Sequence, residues 1–333
     1  MSTEPTSRQL VEAATSRLGS GAEARWIIEH ALAADGCPNP MLVSASGLDA
    51  TVPPSVSVLV ESLVARRQAG EPLQYVLGSW SFRTLELAVD RRVLIPRPET
   101  EQVVEVALAE LQRVMVGRVT AERVTVDRVT VDRVGKTAGP ANRPPRAVDL
   151  GTGSGAIALS LAVEGGSRHA GLEVWATDSS PGALDVARAN LSSLAASGPG
   201  ADRGLVDRVR LRQGQWFAAL PTELVGSVDL IVSNPPYVSL GEYPDLDPAV
   251  RDWEPKEALV AGSSSDGSGG LAEVETILAG APRWLSGDGA LVVELAPHQG
   301  DAAMTMARRG GFVDVRMEPD LAGRPRVLVA ARR

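Results

Sequence analysis

One cysteine, three histidines and an aromatic content of 4% are what 333 residues supply of the side chains that most often carry covalent, metal or stacking chemistry. Cys37 has no second cysteine to pair with, which excludes an intrachain disulfide framework. His30, His169 and His298 lie far apart without ligand spacing, so metal chemistry has little support. No run approaches the roughly 18 uninterrupted apolar residues of a membrane helix. The N-terminus MSTEPTSRQL lacks the apolar core of a signal peptide, so the cytoplasm is the expected location. Positive charge is also scarce: 33 Lys and Arg stand against 41 Asp and Glu, for a net charge of −8. That balance argues against affinity built on phosphate neutralisation, and no direct nucleic-acid binding is expected. What is abundant is apolar, 44% of the chain, enough to bury the cores of the two domains that the length suggests.

The first 75 residues read as a small helical domain. Leu10, Val11, Ala14 and Leu18 share one helical face, Trp26, Ile27 and His30 another, and a third helix runs from Ser55, a plausible N-cap, through Val58, Leu59, Leu63 and Val64. Between 76 and 96 the pattern turns extended, with Leu85, Leu87 and Val89 alternating against Thr84, Glu86 and Ala88, which reads as a hairpin linker. Pro98 then opens a helix with Glu99 and Glu101 in its first turn and Val103, Val104, Ala107, Leu108 and Leu111 on its apolar face.

A repeat of period five follows, with arginines at 113, 118, 123, 128 and 133. Five residues turn a helix face by about 140° and flip a strand face at each step, so no single apolar stripe is sustained. The stretch 113–146 is therefore expected to be a solvent-exposed insertion. Beyond it, strands expected at 173–178, 208–213, 228–233 and 290–295 alternate with helical stretches, which predicts a parallel sheet covered on both faces. The runs 312–317 and 326–331, joined by a short Pro/Gly connection, suit an antiparallel pair at its end. From Val238 to Gly270 a long loop region is expected, including the glycine- and serine-rich 262–270, which borders the proposed site as a flexible rim.

Two motifs carry chemistry. Asp149-Leu-Gly151-Thr152-Gly153-Ser154-Gly155-Ala156 follows an apolar strand and precedes a helical pattern. Glycines there let the backbone approach a ligand closely, and the helix N-terminus favours negative charge, so a nucleotide-type ligand is expected. The same spacing fits a dinucleotide fingerprint and leaves an NAD-dependent oxidoreductase open. Asp178 ends the next strand and is placed to hold a ribose diol, which both cofactors carry. The second motif, Asn234-Pro235-Pro236-Tyr237, ends the strand 228–233. A planar amide nitrogen is a poor nucleophile and must be held by its N–H groups. The Asn carbonyl and backbone carbonyls beside two prolines that lack N–H donors suit that task, and the tyrosine offers a face to a flat group.

Together with Pro72-Leu-Gln-Tyr-Val-Leu-Gly78, Phe82, Leu94-Ile-Pro-Arg-Pro-Glu-Thr-Glu101, Asn190, Glu294 and Gln299, these motifs resemble the bacterial peptide chain release factor glutamine N5-methyltransferases, the HemK/PrmC family, over nearly the whole chain. The resemblance implies an α/β fold: a Rossmann-like class I S-adenosylmethionine-dependent methyltransferase domain at 97–333, a hairpin linker at 76–96, and a helical domain at 1–75 that recognises the release factor. The substrate it implies is the glutamine of a Gly-Gly-Gln loop. It gives Gly151 to Gly155 to the methionine end of the cofactor, Asp178 to its ribose and Trp216 to its adenine, with Asn234 and the Pro235 carbonyl gripping the glutamine amide, flanked by Pro236 and Tyr237. The block 95–101 separates this family from nucleic-acid methyltransferases that share the Asn-Pro-Pro-Tyr type of motif. The chain departs from the pattern at Gln215, where an acid is common, and in its pentad repeat.

Overall fold

The computed structural model describes residues 4–36, 50–128, 143–197, 204–262 and 269–332, without side chains at 119, 121–128 and 197. Cys37, the pentad repeat beyond Arg128 and most of the 262–270 rim lie outside the described residues. The chain divides into two compact units, residues 1–80 with Asp247–Trp253, and Ser81–Leu246 with Glu254–Arg333. The boundary falls inside the expected linker. Among the described residues no helix is long and apolar enough to cross a membrane.

The first unit is helical: α1 (Ser7–Leu18), α2 (Gly21–Ala34), α3 (Pro54–Gln68) and α4 (Leu73–Leu77). Thr6 and Gln9 close a capping box on α1. The core contains Leu10, Ala14, Ile27, Ile28, Val60 and Leu63. Two details differ from the sequence reading. Trp26 and Val58 are exposed, because the buried faces run through Ala24, Ile27, Ile28 and Ala31 on α2 and Val56, Val60, Leu63 and Val64 on α3. Ser55 lies inside α3 and donates to Asp35, while Pro53 and Pro54 start the helix without a side-chain cap.

The hairpin strands β1 (Ser79–Phe82) and β2 (Leu85–Ala88) precede α5 (Pro98–Arg128). Phe82, Leu85 and Leu87 are buried in the same core as Val103, Leu108 and Leu111 of α5, so the hairpin from Phe82 onward is part of the second unit's core. The helix α5 continues well into the pentad repeat. Val114 is fully buried, and Arg118 reaches the buried Asp229 at 3.1 Å. At the other end of the expected insertion, Arg143 holds both oxygens of Asp229 at 2.7 Å, and Arg146 starts a central strand. The stretch 113–146 is thus anchored in the fold at both ends, because Asp229 gathers arginines from each side of it.

The second unit is built on a seven-stranded sheet. In chain order its strands are β3 (Arg146–Leu150), β4 (Glu173–Asp178), β5 (Val209–Gln213), β6 (Val228–Ser233), β7 (Leu285–Glu294), β8 (Asp314–Pro319) and β9 (Pro325–Ala331), and they lie side by side as β5-β4-β3-β6-β7-β9-β8. Pairs among the first five are parallel, and β9 runs antiparallel to both neighbours. Alternate residues feed two cores: Ala147, Val174, Leu230 and Val292 one face, Val148, Trp175, Ile231 and Leu291 the other. Strand β7 begins at Leu285, earlier than the apolar run suggests, with a bulge opposite 228–230 before regular pairing resumes at Ala290.

The order reverses at β3, which has β4 on one side and β6 on the other. Ligands of open α/β sheets bind outside the carboxyl ends of the strands at such a point. Register then places the site. Leu150 lies opposite both Thr177 and Ser233, and Ser233 opposite Val293. The residues that follow, Asp178, Gly151, Asn234 and Glu294, therefore form a row across four adjacent strand ends.

Candidate active site

A cavity of about 390 Å³ lies along this row. Of the residues expected from the sequence, Gly151, Thr152, Gly153, Ser154, Asp178, Trp216, Asn234 and Pro236 line it; Gly155, Pro235 and Tyr237 do not. Its other wall comes from the 92–100 segment, through Arg92, Val93, Leu94, Pro96, Arg97 and Thr100. In the sequence, 94–101 stands out as a family signature and Pro98 as a helix start, but nothing there marks Arg92, Val93 or Thr100 as site residues.

Glycine is required in the turn after β3. Gly151, Gly153 and Gly155 all have positive φ, at 77°, 56° and 86°, which side-chain-bearing residues adopt only with strain. A Cβ on Gly151 would also lie 3.4 Å from the Trp216 ring. The turn is tied down from two sides. Gly151 and Thr152 donate to the Thr177 carbonyl at 2.9 and 3.0 Å, and Gly153 donates to Asp178 Oδ2 at 2.9 Å. Asn190, on the helix α6 (Pro181–Ser197), donates to the Ser154 carbonyl at 2.9 Å and exchanges two hydrogen bonds with Ala88 of β2. That role joins residues far apart in the chain.

Beneath the turn, Asp149 is fully buried. Its Oδ2 accepts from Thr152 Oγ1 at 2.6 Å and Ala158 N at 3.1 Å, while Oδ1 has no hydrogen-bond partner among the described residues. Burial pushes this carboxyl up to about 7, although the two donors oppose the shift. Asp178 is also raised, chiefly by burial, against its backbone donors. Trp216 stands at φ 48°, unusual for a bulky residue, and its carbonyl accepts from Thr177 Oγ1 at 3.1 Å. That bond holds the Trp216 backbone, whose ring borders Gly151, and Gln215 lines the cavity beside it.

The Asn-Pro-Pro-Tyr segment leaves β6 just after Ser233, whose hydroxyl donates to the Leu150 carbonyl at 2.6 Å. Asn234 Nδ2 donates to Thr100 Oγ1 at 3.2 Å, and Thr100 Oγ1 donates to Glu294 Oε2 at 2.7 Å. Pro235 is buried and Tyr237 half-buried. The Tyr237 carbonyl accepts from Gln299 Nε2 at 3.0 Å, and the same nitrogen reaches the Gly270 carbonyl at 3.2 Å. Burial and the nearby Glu294 push the Tyr237 phenol up to about 12, so it stays neutral.

Residues 7–78 match the family described as PrmC N-terminal domain, and residues 138–245 the family described as Methyltransferase small domain. A release factor glutamine methyltransferase of Cereibacter sphaeroides is 35% identical over 310 residues, covering 93% of this chain and 90% of the relative. One of Bordetella pertussis is 38% identical over 305 residues, covering 92% of each. A solved structure titled protein-(glutamine-N5) methyltransferase (release factor-specific), from Alicyclobacillus acidocaldarius, is 26% identical, covers 72% of this chain and 94% of its own, and gives a TM-score of 0.35. With identity of this level across nearly the full length of its relatives, the chain belongs to the release factor glutamine methyltransferase family.

Proposed function

We propose that this chain transfers a methyl group from S-adenosylmethionine to the side-chain amide nitrogen of the glutamine in the Gly-Gly-Gln loop of peptide chain release factors, in the cytoplasm and without binding nucleic acid directly. The observation that carries the reading is the row at the strand ends, where the glycine turn and Asp178 sit beside Asn234 along one cavity. The residues present suit the cofactor. The positive-φ glycines keep side chains out of the turn, Asp178 offers acceptors to a ribose diol, and Trp216 offers a flat apolar face, all on the cavity wall.

When bound, S-adenosylmethionine supplies a methyl group on a positively charged sulfur, an electrophile that needs no activation by metal or acid. The chain's task is to hold the amide. Asn234 Oδ1 and the Pro235 carbonyl each accept an amide N–H, which aims the nitrogen and stabilises it as it gains positive charge. Gly151 to Gly155, Asp178 and Trp216 would hold the cofactor, which would supply the methyl group to that nitrogen, and the surplus amide proton would leave to water. Positioning and polarisation carry the rate, in keeping with the scarcity of histidine and cysteine.

The test is incubation of the purified chain with S-adenosylmethionine and a purified release factor, followed by peptide mass spectrometry. The expected product carries a single methyl group on the glutamine of the Gly-Gly-Gln loop. An unmodified loop, or methyl groups on other residues alone, would refute the reading.

A further inference from the structure

The two polar atoms of an asparagine amide have nearly the same shape, so their placement must follow from the hydrogen bonds around them. Around Asn234 a count of protons settles it. The side chains of Thr100 and Glu294 are almost entirely buried, 4% and 1% exposed, so water does not compete for their bonds. A threonine hydroxyl has one proton, and an ionised carboxylate can only accept. With Oγ1 and Oε2 2.7 Å apart, the Thr100 proton goes to Glu294. Toward Asn234, 3.2 Å away, Thr100 can then only accept, so the asparagine must turn its NH2 to Thr100 and its carbonyl oxygen away.

We infer that Thr100 and Glu294 are positioning residues that make Asn234 present an acceptor, not a donor, to the substrate amide. This rests on the proposed reading of the site. A flipped Asn234 would set its NH2 against the N–H groups of the glutamine, and two donors facing each other hold nothing. The three residues come from α5, β7 and the end of β6, so the sheet order itself assembles the relay.

The arrangement holds only while Glu294 is ionised. A protonated Glu294 could donate to Thr100, which would free the hydroxyl proton to turn toward Asn234 and remove the constraint on the amide. The charged and titratable groups facing Glu294 are Arg326 on β9, Arg97 before α5, Glu99 on α5 and Tyr237 after β6. Burial is the largest influence and lifts the carboxyl to about 7, with Glu99 adding to it; the Thr100 hydroxyl, Arg326 and Arg97 pull the other way. Loss of the constraint therefore falls near neutral pH.

The tests are Glu294→Gln, Thr100→Val and Thr100→Ser in the full chain. A glutamine can face Thr100 with either its carbonyl or its NH2, so Glu294→Gln is expected to lower kcat by roughly 10-fold and to abolish the acid limb of the pH profile near 7. Thr100→Val should lower kcat by on the order of 100-fold and Thr100→Ser restore it to within a few-fold, with cofactor affinity little changed in all three. A second readout needs no turnover: the side-chain amide resonance of Asn234, identified by its absence in Asn234→Ala, should move with a midpoint near 7 in the parent and stay still in Glu294→Gln. If Glu294→Gln keeps the parent's kcat and acid limb, or if the parent's Asn234 resonance does not titrate, the relay is overturned. A parent that does not methylate release factor yet shows the titrating resonance would refute the proposed reaction and leave the relay standing.

Discussion

The Asp178 carboxylate grips the glycine turn itself: Oδ2 accepts the Gly153 amide at 2.9 Å, and Oδ1 accepts the Ser180 amide at 2.9 Å. The Ser179 backbone also acts on the carboxylate, whose roughly four acceptor positions leave room for a further donor, so one residue can order the turn and hold the ribose. Asp178→Ala is expected to weaken S-adenosylmethionine binding by roughly 10- to 100-fold, since charge-assisted bonds of this kind contribute about 1.5–3 kcal/mol. Titration calorimetry measures it. Unchanged affinity would place the ribose elsewhere.

Asn234→Ala removes the acceptor offered to the amide and leaves the glycine turn and Asp178 intact. Turnover is expected to fall by on the order of 10²-fold or more, with cofactor affinity within a few-fold of the parent. Single-turnover methylation alongside calorimetry separates the two quantities. Near-parental turnover would remove Asn234 from the mechanism.

Two buried carboxyls give the stability a distinctive dependence on pH. Asp149 and Glu294 are both lifted to about 7, mainly by burial, from ordinary values of 3.8 and 4.5. Between those ordinary values and about 7 the folded chain keeps protons that the unfolded chain has released. Stability therefore falls as pH rises through that window and levels off above it. Glu294→Gln should flatten the fall and leave the chain more stable at pH 8, by on the order of 1 kcal/mol, while lowering turnover. Urea midpoints from pH 5 to 8 test the sign, and a midpoint that climbs through this range in the parent would contradict it.

The parts of the site that the sequence revealed are those where a local backbone demand selects a residue type. Positive φ calls for Gly151, Gly153 and Gly155, and the loss of backbone donors after β6 calls for Pro235 and Pro236. The Thr100–Glu294–Asn234 relay left no such local mark. Its members are 194 and 134 residues apart in sequence, and only the strand order and the packing of α5 on the sheet bring them together. Trp216 likewise takes a positive φ that its residue type does not announce. The period-five repeat misled for a related reason: α5 already has its buried stripe from Val103 to Val114, so the helix carries on regardless of the repeat's own periodicity.

The pentad repeat makes a further prediction. Asp229 is completely buried and accepts from Arg118, Arg143 and the Arg146 amide. Arg143→Ala leaves that charge only partly compensated and should cost roughly 2–4 kcal/mol of stability. Deleting residues 113–136 removes Arg118 and the buried Val114 together and should lower the melting temperature further. A deletion variant that melts with the parent would show that neither contact matters.

The last prediction separates the two units. Residues 7–78 match the PrmC N-terminal domain, and the hairpin beyond them contributes Phe82, Leu85 and Leu87 to the core of the second unit. A chain beginning at Val89 loses all three, at a cost of several kcal/mol each, which rivals the whole stability of a typical domain. It also loses Ala88, the partner of Asn190, which steadies the Ser154 carbonyl of the glycine turn. A chain beginning at Ser79 keeps every one of these groups. Both truncations leave Asp247–Trp253 without the helical unit they belong to, so they differ only in residues 79–88. The Ser79 chain is expected to fold and bind S-adenosylmethionine, and the Val89 chain to fail at both, as circular dichroism and calorimetry would register. On substrate, the Ser79 chain should methylate a short Gly-Gly-Gln peptide about as well as the full chain does and lose most of its kcat/KM on intact release factor. An exposed loop offers the cavity little surface, so contacts remote from the reacting amide must supply much of the binding that positions it. Equal kcat/KM for both chains on the intact protein would exclude a recognition role for residues 1–78.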